Sequence, residues 1–122
     1  MKAAWIEEFG SPNVIKKGFR DFPKRKEGEV IVRMKCSTIN HHDLFLRQGL
    51  TGSRFLPVIL GSDGAGVVES SGSSSDFKKG DKVVIYPVLS CQECINCMEN
   101  NPHKCCKSFG MIGELRNGSH AE

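Results

Sequence analysis

Residues 91–105 read "CQECINCMENNPHKC" and place four cysteines at the spacing C-x2-C-x2-C-x7-C. Zn²⁺ takes four soft donors at about 2.3 Å in a tetrahedron, and two thiolates separated by two residues can reach one ion across a tight turn. The spacing therefore predicts one zinc ion bound by Cys91, Cys94, Cys97 and a fourth cysteine, either Cys105 or Cys106. Four protein ligands leave no position for substrate, so such a site is structural and holds a surface loop that has few apolar residues.

Other chemistries for this cluster are a disulfide set, a redox pair, or another metal or metal cluster. Three cysteines within seven residues cannot all pair locally, and the only cysteine outside the cluster region, Cys36, lies in a strand pattern. A redox C-x-x-C normally begins a helix beside a βαβ unit, and the sequence has no such pattern. The opening "MKAAWIEEFG" lacks the apolar run of a signal peptide, so we expect a cytoplasmic chain, in which thiols stay reduced. These points favour zinc.

The composition is that of one folded domain. The chain has 122 residues, of which 39% are hydrophobic and 25% are charged, values typical of globular proteins. No stretch approaches the about 18 apolar residues that a membrane-spanning helix needs. The formal charge of +3 falls to about +1 if four thiolates hold one Zn²⁺, and this near-neutral balance predicts neither a nucleic-acid partner nor a membrane partner.

Short strands separated by turns make up most of the remaining pattern. "KAAWIEE" and "NVIKKGFR" flank the turn "FGSPN", and "KVVIYPV" has the composition of a buried strand. The stretch 29–40 alternates with period two, which predicts a half-buried strand. Its apolar face carries Val30, Val32, Met34 and Cys36, and its polar face carries Arg33, Lys35 and Ser37. The one helical candidate is "HHDLFLRQG" at 41–49, which Gly49 ends. This pattern predicts a mainly β fold, an antiparallel barrel or sandwich with little helix.

Three motifs in order, "LGSDGAGVV" at 60–68, "GDKVVIYP" at 80–87 and the cysteine cluster, resemble the catalytic-domain half of the medium-chain dehydrogenase/reductase superfamily. The resemblance is to the zinc-type alcohol dehydrogenases and their quinone-oxidoreductase-like relatives, and it runs over essentially the whole chain. It implies a GroES-like, partly open β-barrel over 1–122 with a projecting structural-zinc lobe at about 88–112. The family pattern also favours Cys105 over Cys106 as the fourth zinc ligand.

The resemblance implies a second domain, a Rossmann fold that binds NAD(P), which we expect to be absent from this chain. "GSDGAG" is not its fingerprint, because these glycines run G-x-x-G-x-G into a strand instead of G-x-G-x-x-G into a helix. We therefore expect a catalytic-domain fragment of an NAD(P)-dependent, zinc-containing oxidoreductase. The full-length protein would act on alcohols, carbonyls or activated double bonds, and the isolated fragment would be inactive. A homo-oligomer is compatible with this expectation.

The alternative function is a free-standing zinc-binding barrel that acts as a protein-interaction module. Apolar surface left exposed where a nucleotide domain would dock would drive such a chain to associate with itself or with a partner.

The resemblance also assigns positions near the reaction centre. In zinc-type members, a cysteine in a C-H-T/S-D segment and a histidine in a G-H-E segment hold a catalytic Zn²⁺. The matching positions here are Asn40 for the cysteine, Ser62 for the histidine and Asp63 for the glutamate. An amide and a hydroxyl are poor donors for this borderline-soft ion, so we expect no catalytic zinc of the usual kind.

Three further residues, His41, His42 and Asp43, match functional positions of the family. His42 matches the hydroxyl residue that relays a proton from the substrate, and a histidine is able to do so near neutral pH. Asp43 matches a carboxylate that supports the site, and His41 matches a residue near the phosphates of the cofactor. A structural interpretation stands beside these roles: Asp43 begins a short helix and would cap it, and adjacent histidines on a turn are often simply solvated.

Overall fold

The computed structural model describes residues 1–73 and 75–122, and strands dominate it. The strands are β1 (Lys2–Ile6), β2 (Lys16–Phe19), β3 (Ile31–Ser37), β4 (Val58–Ile59), β5 (Gly64–Ser70), β6 (Lys82–Ile85), β7 (Val88–Leu89) and β8 (Gly110–Met111). The helices are α1 (His41–Gln48) and α2 (Ile95–Met98), and short 3-10 turns lie at Pro12–Val14 and Pro102–Lys104. The prediction of a mainly β chain with little helix is confirmed. No helix among the described residues is long and apolar enough to cross a lipid bilayer.

The strands form three small antiparallel sheets, in the orders β2-β1-β4, β3-β5-β6 and β7-β8. The end of the chain returns to the first sheet, where Ala121 bridges to Ala3 and the N–H of Ala4 donates to the carbonyl of His120 at 2.9 Å. The sheets of the described part of the chain do not join into a closed barrel. The expected partly open architecture is therefore the one observed.

Strand β3 departs from the predicted alternation at one point. Val32 and Met34 are half-buried as expected, but Cys36 is exposed, so its predicted place on the inner face is wrong. The pairing of β3 with β5 shifts register between Met34 and Cys36, and an extra residue in a strand turns the following side chains to the opposite face. Ser37 is consequently the residue that points inward, and its Oγ lies 3.2 Å from Ser119 Oγ, within hydrogen-bond distance.

A small core lies between α1 and the first sheet. Its buried members are Ile6, Leu46, Val58 and Leu60, and Phe9, Val14 and Leu56 pack against them. Helix α1 supplies Leu46 and ends, as predicted, at Gly49, whose φ of 78° is in the left-handed region that glycine adopts readily. This packing fixes α1, and with it the histidines at its start, against β1 and β4.

Candidate functional site

The cysteine-rich segment is an excursion between β7 and β8. Pairing of Val88 with Met111 and of Leu89 with Gly110 closes its base. Between these strands Cys94 is the one fully buried residue, whereas Ile95 and Met98 of α2 are 65% and 74% exposed. The excursion therefore lacks a hydrophobic core, and its shape must depend on other interactions.

Four sulfur atoms meet at the centre of this excursion. The Sγ atoms of Cys91, Cys94, Cys97 and Cys105 all lie within 4.8 Å of one another. The shortest separations are 3.5 Å for Cys94 to Cys97 and for Cys91 to Cys105, and 3.8 Å for Cys91 to Cys97. Zn–S bonds of about 2.3 Å in a tetrahedron require S–S separations of about 3.8 Å, so the donor set fits one zinc ion. These shortest separations of 3.5 Å are well beyond the roughly 2.05 Å of a disulfide bond, which argues against the disulfide alternative.

Backbone N–H groups surround these sulfurs. Cys91 Sγ accepts from the N–H of Cys94 at 3.3 Å, and Cys105 Sγ accepts from the N–H groups of Cys91 and Ser108 at 3.4 Å each. The N–H groups of Cys106 and Cys97 lower the pKa of Cys94 to about 5. Donors of this kind stabilise the thiolate, the form that binds metal, at Cys94 and Cys105. At Cys97, by contrast, burial raises the pKa to about 11. Cys106 contributes its backbone, while its exposed side chain lies outside the group of four.

The positions that matched a catalytic zinc form a hydrogen-bonded cluster instead. Asn40 Nδ2 donates to Ser62 Oγ and to Thr38 Oγ1, at 3.3 Å in both cases, and Thr38 Oγ1 donates to Asp63 Oδ1 at 2.5 Å. The Thr38 hydroxyl, followed by the Asn40 amide, holds the pKa of Asp63 below its usual value. This donor set contains one carboxylate and no thiolate, and its polar atoms are already paired, so it does not fit a zinc ion.

Sequence analysis did not identify three residues of this neighbourhood, Thr38, Ser119 and His120. Ser119 Oγ donates to the carbonyl of Asp63, and His120 Nε2 lies 3.0 Å from the carbonyl oxygen of Thr38. Ser119 and His120 reach the site on the returning end of the chain, so no local motif signals them.

Asp43 is buried and joins two segments. Its Oδ2 accepts from the N–H of Asn40 at 2.8 Å, and its Oδ1 accepts from the N–H of Gly61 at 2.9 Å. The first bond belongs to the start of α1, as expected of a first-turn acid. The second bond ties the helix to the loop between β4 and β5, which carries Ser62 and Asp63.

The two histidines differ in their surroundings. His41 is exposed, with its ring centroid 6.1 Å from that of Phe45. His42 is largely buried, and its Nε2 lies 3.8 Å from Oε2 of Glu114. Glu114 was not singled out in the sequence, because it lies far from His42 along the chain.

A cleft of about 780 Å³ opens elsewhere, beside β2 and β3. Phe19, Phe22, Val32 and Met34 contribute to its wall, whereas none of the three residues His41, His42 and Asp43 lines it. The cleft and the histidine pair are therefore separate features.

Comparison with known proteins identifies one family and a consistent set of relatives. A family model described as the alcohol dehydrogenase GroES-like domain matches residues 26–122. An NAD-dependent alcohol dehydrogenase of Sulfolobus acidocaldarius is 33% identical, with 100% of this chain and 37% of the relative covered. D-arabinose 1-dehydrogenase (NADP(+)) of Saccharolobus solfataricus is 30% identical, with coverages of 99% and 34%.

Solved structures agree with these relatives. The crystal structure of an NAD-dependent alcohol dehydrogenase superposes with a TM-score of 0.90 at 36% identity, covering 100% of this chain and 36% of that one. A thermostable alcohol dehydrogenase from Pyrobaculum aerophilum gives 0.91 at 32% identity, with coverages of 100% and 37%. The chain spans about a third of the length of the Sulfolobus and Saccharolobus relatives, since 37% and 34% of those proteins are matched.

Proposed function

Since this chain belongs to the family of alcohol dehydrogenase GroES-like domains, we propose that it is the catalytic domain of an NAD(P)-dependent oxidoreductase that acts on alcohols, carbonyls or activated double bonds. The supporting observation is the match over the whole chain to an NAD-dependent alcohol dehydrogenase in both sequence and fold. In this proposal residues 1–122 are the GroES-like domain, residues 88–112 are its zinc lobe, and a nucleotide-binding domain lies outside the chain.

The zinc lobe has a structural role in this proposal. One zinc ion is bound by Cys91, Cys94, Cys97 and Cys105. This cross-link stabilises the lobe, which has no hydrophobic core of its own. Support comes from the tetrahedral S–S separations and from the N–H groups that face the sulfurs. Metal analysis with thiol titration tests this part: we expect one zinc per chain and two reactive thiols, on Cys36 and Cys106. Zinc-free folded protein with six reactive thiols would contradict it.

The chemical step in this proposal uses residues at the start of α1. A bound nicotinamide would accept or supply the hydride, and a protein side chain must then move the matching proton. His42 is the candidate residue to carry that proton, because the donor set around Asp63 does not fit a metal ion that could take part in the step. Asp43 holds α1 in place through its two backbone contacts. His41, exposed beside Phe45, is the candidate contact for the cofactor's phosphates.

The gene itself offers the decisive test. We expect the reading frame beyond Glu122 to encode a strand, G-x-G-x-x-G or a close variant, and a helix. The corresponding protein should change the absorbance of NAD(P)H in the presence of an alcohol, an aldehyde or an enone, and the 122-residue chain alone should not. A stop codon directly after Glu122 would contradict the proposal and favour the interaction module.

A further inference from the structure

His42 carries an unusual nitrogen. Among the residues that the structure describes, its Nε2 is the one buried side-chain polar atom without a hydrogen-bond partner. The charged group beside it is the carboxylate of Glu114, with Oε2 at 3.8 Å, and the two side chains are only 18% and 13% exposed. Buried polar groups in folded proteins almost always form hydrogen bonds, so we expect Nε2 of His42 to have a hydrogen-bond partner.

Hydrogen bonds fix the backbone on both sides of this pair, beside His42 and at Glu114. The two hydrogen bonds of Asp43 fix the first turn of α1, and His42 immediately precedes Asp43. On the other side, Ser53 Oγ donates to the carbonyl of Glu114 at 3.0 Å, and the N–H of Glu114 donates to the carbonyl of Met111 at 3.2 Å. A small side-chain rotation would therefore suffice to bring the carboxylate within hydrogen-bond distance, about 2.8 Å.

We propose that Glu114 is a positioning residue for His42: its carboxylate accepts the Nε2 proton, fixes the ring as the Nε2–H tautomer and leaves Nδ1 as the basic nitrogen. A carboxylate that orients an imidazole and stabilises its protonated form is a recurrent catalytic arrangement. This inference rests on the proposed function, in which His42 carries the proton.

The proton and electron balance of the step is simple. In the oxidative direction, the hydroxyl proton of an alcohol moves to Nδ1 of His42. The C–H bond breaks, and its electron pair leaves with the hydrogen as hydride to an oxidised nicotinamide, so that a carbonyl forms. The ring of His42 becomes an imidazolium, whose charge faces the carboxylate of Glu114. Carbonyl reduction reverses each of these movements.

The tautomer of His42 can be read directly from the imidazole ¹⁵N signals of the zinc-loaded, ¹⁵N-labelled chain. We expect the Nε2–H form alone in the unmodified chain, with His42→Gln used to assign the signals. Glu114→Leu removes the acceptor and should yield a mixture of tautomers, whereas Glu114→Gln retains an acceptor oxygen and should preserve the Nε2–H form. The exposed His103 should give the same signals in all variants.

Two results would overturn the positioning role: an Nδ1–H tautomer in the unmodified chain, or an unchanged His42 in a folded Glu114→Leu variant. A backbone amide spectrum and the zinc content show whether each variant is folded. In the protein that includes the nucleotide domain, Glu114→Leu should lower kcat by about 10²-fold with little change in KM, and Glu114→Gln should lower it less. The tautomer measurement needs no cofactor. Lack of nicotinamide turnover in the unmodified longer protein would therefore overturn the proposed function separately.

Discussion

Replacing Asp43 by alanine tests whether this buried carboxylate is a structural clamp between α1 and the β4–β5 loop. The substitution removes both oxygens, which accept hydrogen bonds from the N–H groups of Asn40 and Gly61 at 2.8 Å and 2.9 Å. The hydrogen bond to Gly61 is fully buried, so its donor would be left without a partner. The start of α1 would also lose the negative charge that favours its N-terminus.

The magnitude follows from these two bonds. A hydrogen bond to a charged group contributes about 1.5–3 kcal/mol to stability. Asn40 is only half-buried, so water can replace part of its lost bond. We therefore expect Asp43→Ala to lower the free energy of unfolding by about 3–4 kcal/mol, a large share of the roughly 5–15 kcal/mol typical of a domain. Asp43→Asn retains one acceptor oxygen and should lose about half as much.

Urea unfolding of the zinc-loaded chain measures this loss, with the fluorescence of Trp5, the single tryptophan, as the signal. Asp21→Ala is the matched control, because Asp21 is exposed and a substitution there should change the free energy of unfolding by less than about 0.5 kcal/mol. If Asp43→Ala differed from this control by less than about 1 kcal/mol, the clamp would be refuted.

Three other outcomes are expected. Cys97→Ser should release zinc to a chelator far more readily than the native chain, whereas Cys106→Ser, outside the sulfur group, should not; zinc content measures both. Thr38→Val should raise the pKa of Asp63 towards its usual value, because the Thr38 hydroxyl is the main cause of its lowering. A lowered carboxyl pKa stabilises the folded chain above the unfolded pKa of about 3.9, and this stabilisation is lost as the pH falls through the folded pKa. The Thr38→Val variant lacks it, so its acid unfolding should begin at a higher pH. Carboxyl NMR titration would measure the pKa shift of Asp63. Gly61→Ala should cost about 2 kcal/mol in urea unfolding, because φ is +96° and the added methyl would lie 2.8 Å from a backbone nitrogen; an unchanged midpoint would contradict this.

Several elements were predictable because their causes are local. Helix α1 ends at Gly49 because the chain there adopts a left-handed conformation that favours glycine. The sulfurs of Cys91, Cys94 and Cys97 converge because turns of two intervening residues bring them together. The strand alternation of β3 was predictable up to Met34 and failed at Cys36, because the register shift that exposes this cysteine arises in the pairing with β5.

The amino-acid sequence alone determined the mainly β class, the metal-binding chemistry of the cysteine cluster and the poor match of Asn40, Ser62 and Asp63 to a catalytic zinc, because residue type and short spacing decide these properties. Only the tertiary structure placed Glu114 beside His42 and brought the end of the chain to Thr38 and Asp63. These contacts join residues that lie far apart in sequence. The distances between those residues are set by the packing of separate strands and loops, which no local sequence pattern encodes.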